Sequence, residues 1–135
     1  MKEPEFSVEH LGLASRDPVA LANWYVRILD GALELTTATT PPACFVRLPG
    51  GFLLEIYAGE RGLPDTAQNR LHGWRHLALR VRSIEGARRV LEARGLVLTE
   101  EVKPAGGGGR VLFFLDLEGN LLHLVERPTD GSFQP

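Results

Sequence analysis

The sequence predicts an α+β fold made from two copies of one strand–helix–strand–strand–strand unit. Three observations predict it. Two amphipathic stretches of helical period start at capping residues 66 positions apart, Asp17 and Ser83. Each is preceded by a short alternating segment and followed by further short apolar ones, the pattern of half-buried strands. The closing hairpins align at an offset of 68, which brings Gly51 onto Gly119 and Glu55 onto His123. Self-similarity at this grain means one supersecondary unit used twice.

Taken in order, Phe6–Ala14 alternates and reads as a strand, with Val8, His10 and Gly12 on one face and Leu11 and Leu13 on the other. Asp17 caps a helix that has Pro18 at its first position, and Leu21, Trp24, Tyr25 and Ile28 form its apolar stripe. Asp30-Gly31 stops it. Strands follow at Leu33–Thr37, Ala43–Leu48 and Phe52–Tyr57, the last two joined by Pro49-Gly50-Gly51. Residues 59–73 are rich in Gly, Pro, Asp and Asn and read as a linker between module one (6–58) and module two (74–127). Module two opens with a strand at Trp74–Val81. Ser83 then caps a helix to about Arg94, with Ile84, Ala87, Val90 and Leu91 as its stripe, and Gly95 ends it. Leu96–Glu101, Arg110–Asp116 and Asn120–Glu126 are its remaining strands, and residues 128–135 form a tail. The whole, 1–135, is expected to be a single domain.

Composition narrows the function. With 135 residues, 44% hydrophobic and 24% charged, the chain can bury a core without covalent staples. A net charge of −2 gives no basic footprint for nucleic acid. No apolar run nears the roughly 20 residues that span a bilayer, and MKEPEFSVEH contains no apolar signal core. Cys44 is the only cysteine, so no internal disulfide can form, and a reducing cytoplasm is the expected location. In a strand it reads as a small hydrophobe.

Four polar residues interrupt otherwise apolar strands. His10 and His76 are equivalent in the first strand of each module, and Glu55 and His123 are equivalent in the last. Their neighbours Leu11, Leu54, Ile56, Leu77, Leu122 and Leu124 must face the helices, so the period of two sends all four polar side chains to the opposite face. A lone histidine on such a strand is more often a hydrogen-bonded core residue. A buried carboxylate needs a partner or a proton. Three imidazoles and a carboxylate at matched positions form a donor set for a divalent ion such as Zn, Ni, Co, Fe(II) or Mn. His72, in the linker, has no counterpart and is expected at the surface.

The two βαβββ modules, Trp24-Tyr25…Ile28-Leu29 in the first helix and Asp116-Leu-Glu-Gly-Asn before the last strand resemble the vicinal oxygen chelate superfamily, the group of glyoxalase I, bleomycin-resistance proteins and extradiol dioxygenases. The resemblance spans about Phe6 to Arg127. It implies that the modules form a cupped, barrel-like mixed sheet with helices outside. It also implies a metal held by His10, Glu55, His76 and His123, and a homodimer. Glyoxalase I is the nearest pattern, but it has glutamate where this chain has His123. Glu126 does not replace it, since it faces the other side of the strand. Glu55 is then the one candidate catalytic proton carrier, and the site is one charge unit more positive than a two-carboxylate site. The resemblance therefore points to a metal-dependent lyase or isomerase that chelates vicinal oxygens of a 2-oxo or hemithioacetal-type substrate and stabilises an enediolate-like intermediate. The alternatives are an Fe(II) extradiol-type dioxygenase and a metal-free drug- or metabolite-binding resistance protein.

Overall fold

The computed structural model describes residues 5–130; residues 131–135 of the expected tail lie outside them. The elements are β1 (Leu11–Ser15), α1 (Pro18–Leu29), β2 (Ala32–Thr36), β3 (Cys44–Arg47), β4 (Leu53–Ala58), β5 (His76–Arg80), α2 (Ile84–Ala93), β6 (Lys103–Pro104), β7 (Arg110–Leu115) and β8 (Leu121–Glu126). The chain divides into two compact units, one ending at Gly62 and the other beginning at Leu63, and each has the order βαβββ. The fold is α+β, as the repeat predicts.

In the first unit the sheet order is β1-β4-β3-β2, with β1 parallel to β4 and the other pairs antiparallel. Helix α1 starts where the Asp17 carboxylate accepts the Ala20 N–H at 3.1 Å, with Pro18 in the first turn where no N–H is needed. It ends on Asp30, whose φ of 59° is left-handed. The predicted stripe of Leu21, Trp24, Tyr25 and Ile28 is buried, as are Val46, Leu54 and Ile56 of the sheet. Trp24 and Tyr25 are core residues, and Cys44 is buried as a small hydrophobe.

The second unit repeats the plan with order β5-β8-β7-β6. Ser83 Oγ accepts the Gly86 N–H at 3.1 Å and caps α2. Gly95, at φ 94°, closes that helix with paired bonds, Gly95 N–H to Glu92 O and Leu96 N–H to Leu91 O, both 3.0 Å. Ile84 and Leu91 are buried, as are Leu112, Phe114, Leu122 and Leu124 of the sheet.

Three predicted details are corrected. The first strand begins at Leu11, so Phe6–His10 lies before it, with Phe6 86% and Val8 88% exposed. Alternation in sequence makes a strand only where a neighbour supplies a ladder, and β1 pairs with β4 only from Leu11↔Leu54 onward. The strand expected at Leu96–Glu101 is absent, and β6 is two residues long. The Leu98 carbonyl there accepts from Arg88 Nη2 at 2.9 Å, and Pro104, which has no N–H, closes a ladder of two pairs. Val90, predicted in the α2 stripe, is 47% exposed.

Candidate metal centre

The register of each parallel strand pair places two of the four predicted donors together. In the first unit Gly12 pairs with Glu55, and His10 lies two residues before Gly12. In the second, Ala78 pairs with His123, and His76 lies two residues before Ala78. In the second unit His76 and His123 are therefore diagonal neighbours on one sheet face, and in the first His10 stands immediately ahead of β1, still within side-chain reach of Glu55. His10 Nε2 lies 3.4 Å from Glu55 Oε1, and the His76 and His123 rings are 4.6 Å apart between centroids. Each unit by itself thus brings one pair of the predicted donors together. Among the described residues neither unit gathers three His, Cys, Asp or Glu into a metal-holding group.

All three histidines are bonded in the same sense. His10 Nδ1–H donates to Glu9 Oε1 at 2.9 Å, His76 Nδ1–H to Asn69 Oδ1 at 2.7 Å, and His123 Nδ1–H to the Leu124 carbonyl at 3.2 Å. Each acceptor is an oxygen without a hydrogen, so in each ring Nδ1 is the donor and Nε2 is the nitrogen left outside that bond. An outer acceptor that fixes the tautomer in this way is the usual companion of a metal-bound imidazole. His123 is 6% exposed. Burial, with a smaller contribution from neighbouring His76, pushes its pKa below the ordinary value, which favours the neutral ring that a metal needs. The donor set fits a divalent ion of the N/O-liking class.

Two phenylalanines complete the site, and both escaped the sequence reading. Phe45 pairs with Glu55 and Phe113 with His123 across the antiparallel ladders. Each stands edge-on to its unit's first histidine, Phe45 to His10 and Phe113 to His76, both at 5.8 Å between centroids. Phe113 also lies 4.9 Å from the His123 ring. The signal was present, since 45 and 113 are separated by the same 68 as Glu55 and His123. Tyr57 borders the first pair. A Cβ on Gly12 would meet its ring at 3.2 Å, which explains the glycine beside Glu55.

A cavity of about 370 Å3 opens beside Phe113 in the second unit, lined also by Val97, Thr99, Phe114, Leu115 and Leu121. Other polar residues near the strands are engaged elsewhere. Arg47 forks onto Glu34 and donates Nη1 to the Gly51 carbonyl at 2.8 Å, so it braces a hairpin. Glu126 accepts the Ile84 N–H at 3.1 Å and pairs with Arg110, which confirms that it faces α2 and not His123. His72 is exposed. Asp116 is buried and accepts from Glu118 N, Asn120 N and Asn120 Nδ2 at 2.8–3.0 Å, which fixes the turn before β8. Gly119 supplies the left-handed residue of that turn, φ 87°.

Strand register, paired donors and duplicated βαβββ units together define a class, the double-module vicinal oxygen chelate proteins. The chain belongs to the Glyoxalase/Bleomycin resistance protein/Dioxygenase superfamily, whose family model matches residues 7–124. Among solved structures it is similar to a glyoxylase/bleomycin resistance protein/dioxygenase domain from Frankia sp. EAN1pec. The identity is 26% and the TM-score 0.67, over 93% of this chain and 100% of that one. It is also similar in fold to a glyoxalase family protein from Enterococcus faecalis, with 23% identity and TM-score 0.74 over 89% of this chain and 97% of that one. A third likeness is the fosfomycin resistance protein FosX from Listeria monocytogenes, in complex with Mn(II) and sulfate. There the identity is 18% and the TM-score 0.66, over 92% of each chain. No curated protein matches the sequence.

Proposed function

We propose that the protein is a metal-dependent, glyoxalase-like enzyme, a lyase or isomerase acting on a small 2-oxo or hemithioacetal-type substrate with neighbouring oxygens. His10, Glu55, His76 and His123 would hold the ion, one of Zn, Ni, Fe, Co or Mn. The observation that carries this reading is the contact between His10 Nε2 and Glu55 Oε1 at 3.4 Å. With Nδ1–H committed to Glu9, Nε2 and the Glu55 carboxylate stand side by side as two donors that one cation can share. A bound divalent ion supplies Lewis acidity to the substrate oxygens and offsets negative charge developing there.

The chain's own contribution follows from its residues. Glu55 is the single carboxylate of the four, so a Glu55 oxygen takes the proton from the carbon beside the carbonyl and returns it to the neighbouring carbon. His10, His76 and His123, each anchored at Nδ1, hold their rings in fixed orientation. The cavity beside Phe113, which Thr99 and Glu100 also line, is within the size range of small-molecule pockets. The protein works as a homodimer: Phe6 and Val8 stand exposed ahead of the edge strand β1, where a second copy would cover them. A buried, unpaired Cys44 agrees with a cytoplasmic location, and no helix among the described residues is long and apolar enough to cross a membrane.

The test is metal analysis of chelator-stripped and reloaded protein, wild type beside His123→Ala. The expected result is stoichiometric metal in wild type and loss of it in the variant. Full metal content in His123→Ala would overturn the four-donor site. Absence of stoichiometric metal from wild type would leave a metal-free binding protein.

A further inference from the structure

We propose that Asn69 is a positioning residue for His76, its side-chain oxygen holding the imidazole in the tautomer that leaves Nε2 as the lone pair for the metal. The 2.7 Å bond from His76 Nδ1–H to Asn69 Oδ1 joins residues seven apart, one on the segment before β5 and one at the start of β5. The segment is built to hold this geometry. Arg75 Nη1 donates to the Gln68 carbonyl at 3.1 Å, and Arg75 Nε to the Trp74 carbonyl at 2.8 Å, so one guanidinium ties the residue before Asn69 to the residues before His76. On the near side Gln68 N–H reaches Asp65 O at 2.9 Å, and Gln68 Oε1 accepts the Arg70 N–H at 3.3 Å. Asn69 is thus flanked by fixed backbone on both sides, on a stretch without helix or strand.

The chemistry of the acceptor matters as much as its place. Glu9, which plays the corresponding part for His10, is a carboxylate and makes that imidazole the more electron-rich donor. Asn69 orients His76 without adding charge. In the second unit a carboxylate would add a negative charge beside His76 and the buried His123; the amide avoids that and still fixes the ring. An alanine at 69 leaves Nδ1 to water and frees the proton to move to Nε2, where it blocks the lone pair.

This inference rests on the reading of His76 as a ligand, and the experiment separates the two. Wild type, Asn69→Ala, Asn69→Asp and His76→Ala are stripped of metal. The His76 tautomer is read in the apo proteins from its ring nitrogen shifts by long-range 1H–15N NMR. Zn2+ affinity is read by competition with a chromophoric chelator. Wild type is expected in the Nδ1–H form. Asn69→Ala is expected to shift toward Nε2–H and to bind Zn2+ about 10- to 100-fold more weakly. Asn69→Asp, which keeps the acceptor, is expected to restore both. An unchanged tautomer in Asn69→Ala overturns the proposal. So does unchanged Zn2+ affinity in that variant when His76→Ala has lost the metal. If His76→Ala binds Zn2+ as wild type does, the ligand reading falls instead, and the tautomer arm still decides the role of Asn69.

Discussion

Replacing His123 by glutamate puts the metal reading to a test in the protein's own stability. The side chain is 6% exposed, with the His76 ring 4.6 Å and the Phe113 ring 4.9 Å away. A polar group buried there without a partner costs about 1–3 kcal/mol by mutational measure. A melting entropy of about 2.1 cal/mol/K per residue means that each kcal/mol moves the midpoint of this 135-residue chain by about 3.5 °C. Chelator-treated His123→Glu is therefore expected to melt about 4–10 °C below wild type. An ion that binds only the folded state adds about 2.7 kcal/mol at a free concentration 100 times its Kd, or roughly 9 °C on the same scale. With metal, the glutamate gains a partner and the variant should recover most of its loss. His123→Ala has no donor to offer and should respond little. The assay is differential scanning calorimetry with chelator and with excess Zn2+ for all three proteins. Equal metal-induced shifts in wild type and His123→Ala would refute the ligand role of His123.

Other expectations concern the frame that holds the site. The Ile84 N–H, and next Arg110, hold the Glu126 carboxyl below its ordinary range, so this contribution to stability is present above about pH 4.5 and lost as pH falls through the lowered value; Glu126→Gln should lower the melting point at pH 7 and show a gap to wild type that closes in acid. Gly109 has φ 93°, and a Cβ there would collide with the Glu126 carbonyl, whereas Gly119, at φ 87°, has open space around it. Gly109→Ala should therefore cost well over about 2 kcal/mol and Gly119→Ala only about 1–2 kcal/mol in urea unfolding, and equal costs would contradict the packing. Ser83→Ala should cost about 1 kcal/mol through loss of the α2 cap, by the same measurement.

Most of the architecture was legible because it is written in periods and caps. Asp17 and Ser83 announce their helices by chemistry that needs no tertiary context, and Gly95 closes one by a conformation that side chains resist. The pairing of His10 with Glu55 and of His76 with His123 was legible for a related reason, since each residue breaks a strand pattern at a position repeated in the other half. What failed depends on partners that a pattern cannot name. Phe6–His10 alternates like a strand but has no ladder ahead of Leu11. Leu96–Glu101 is apolar enough for one, yet Arg88 takes the Leu98 carbonyl instead. Asn69 had no signal at all: a single amide in an irregular stretch becomes meaningful only when folding brings its oxygen to His76.

The two halves share one plan and differ in the chemistry they carry on it. The strand register and the edge-on phenylalanine are the same in both units. The donors and their supports differ. Around His10 stand two carboxylates, Glu9 and Glu55. Around His76 stand an amide and a second imidazole whose burial pushes its pKa down. Under the proposed four-donor reading, the base would belong to the first pair and the charge-neutral ligands to the second. In that proposal Glu55 is the single carboxylate of the four, so one residue would have to move the proton in both directions.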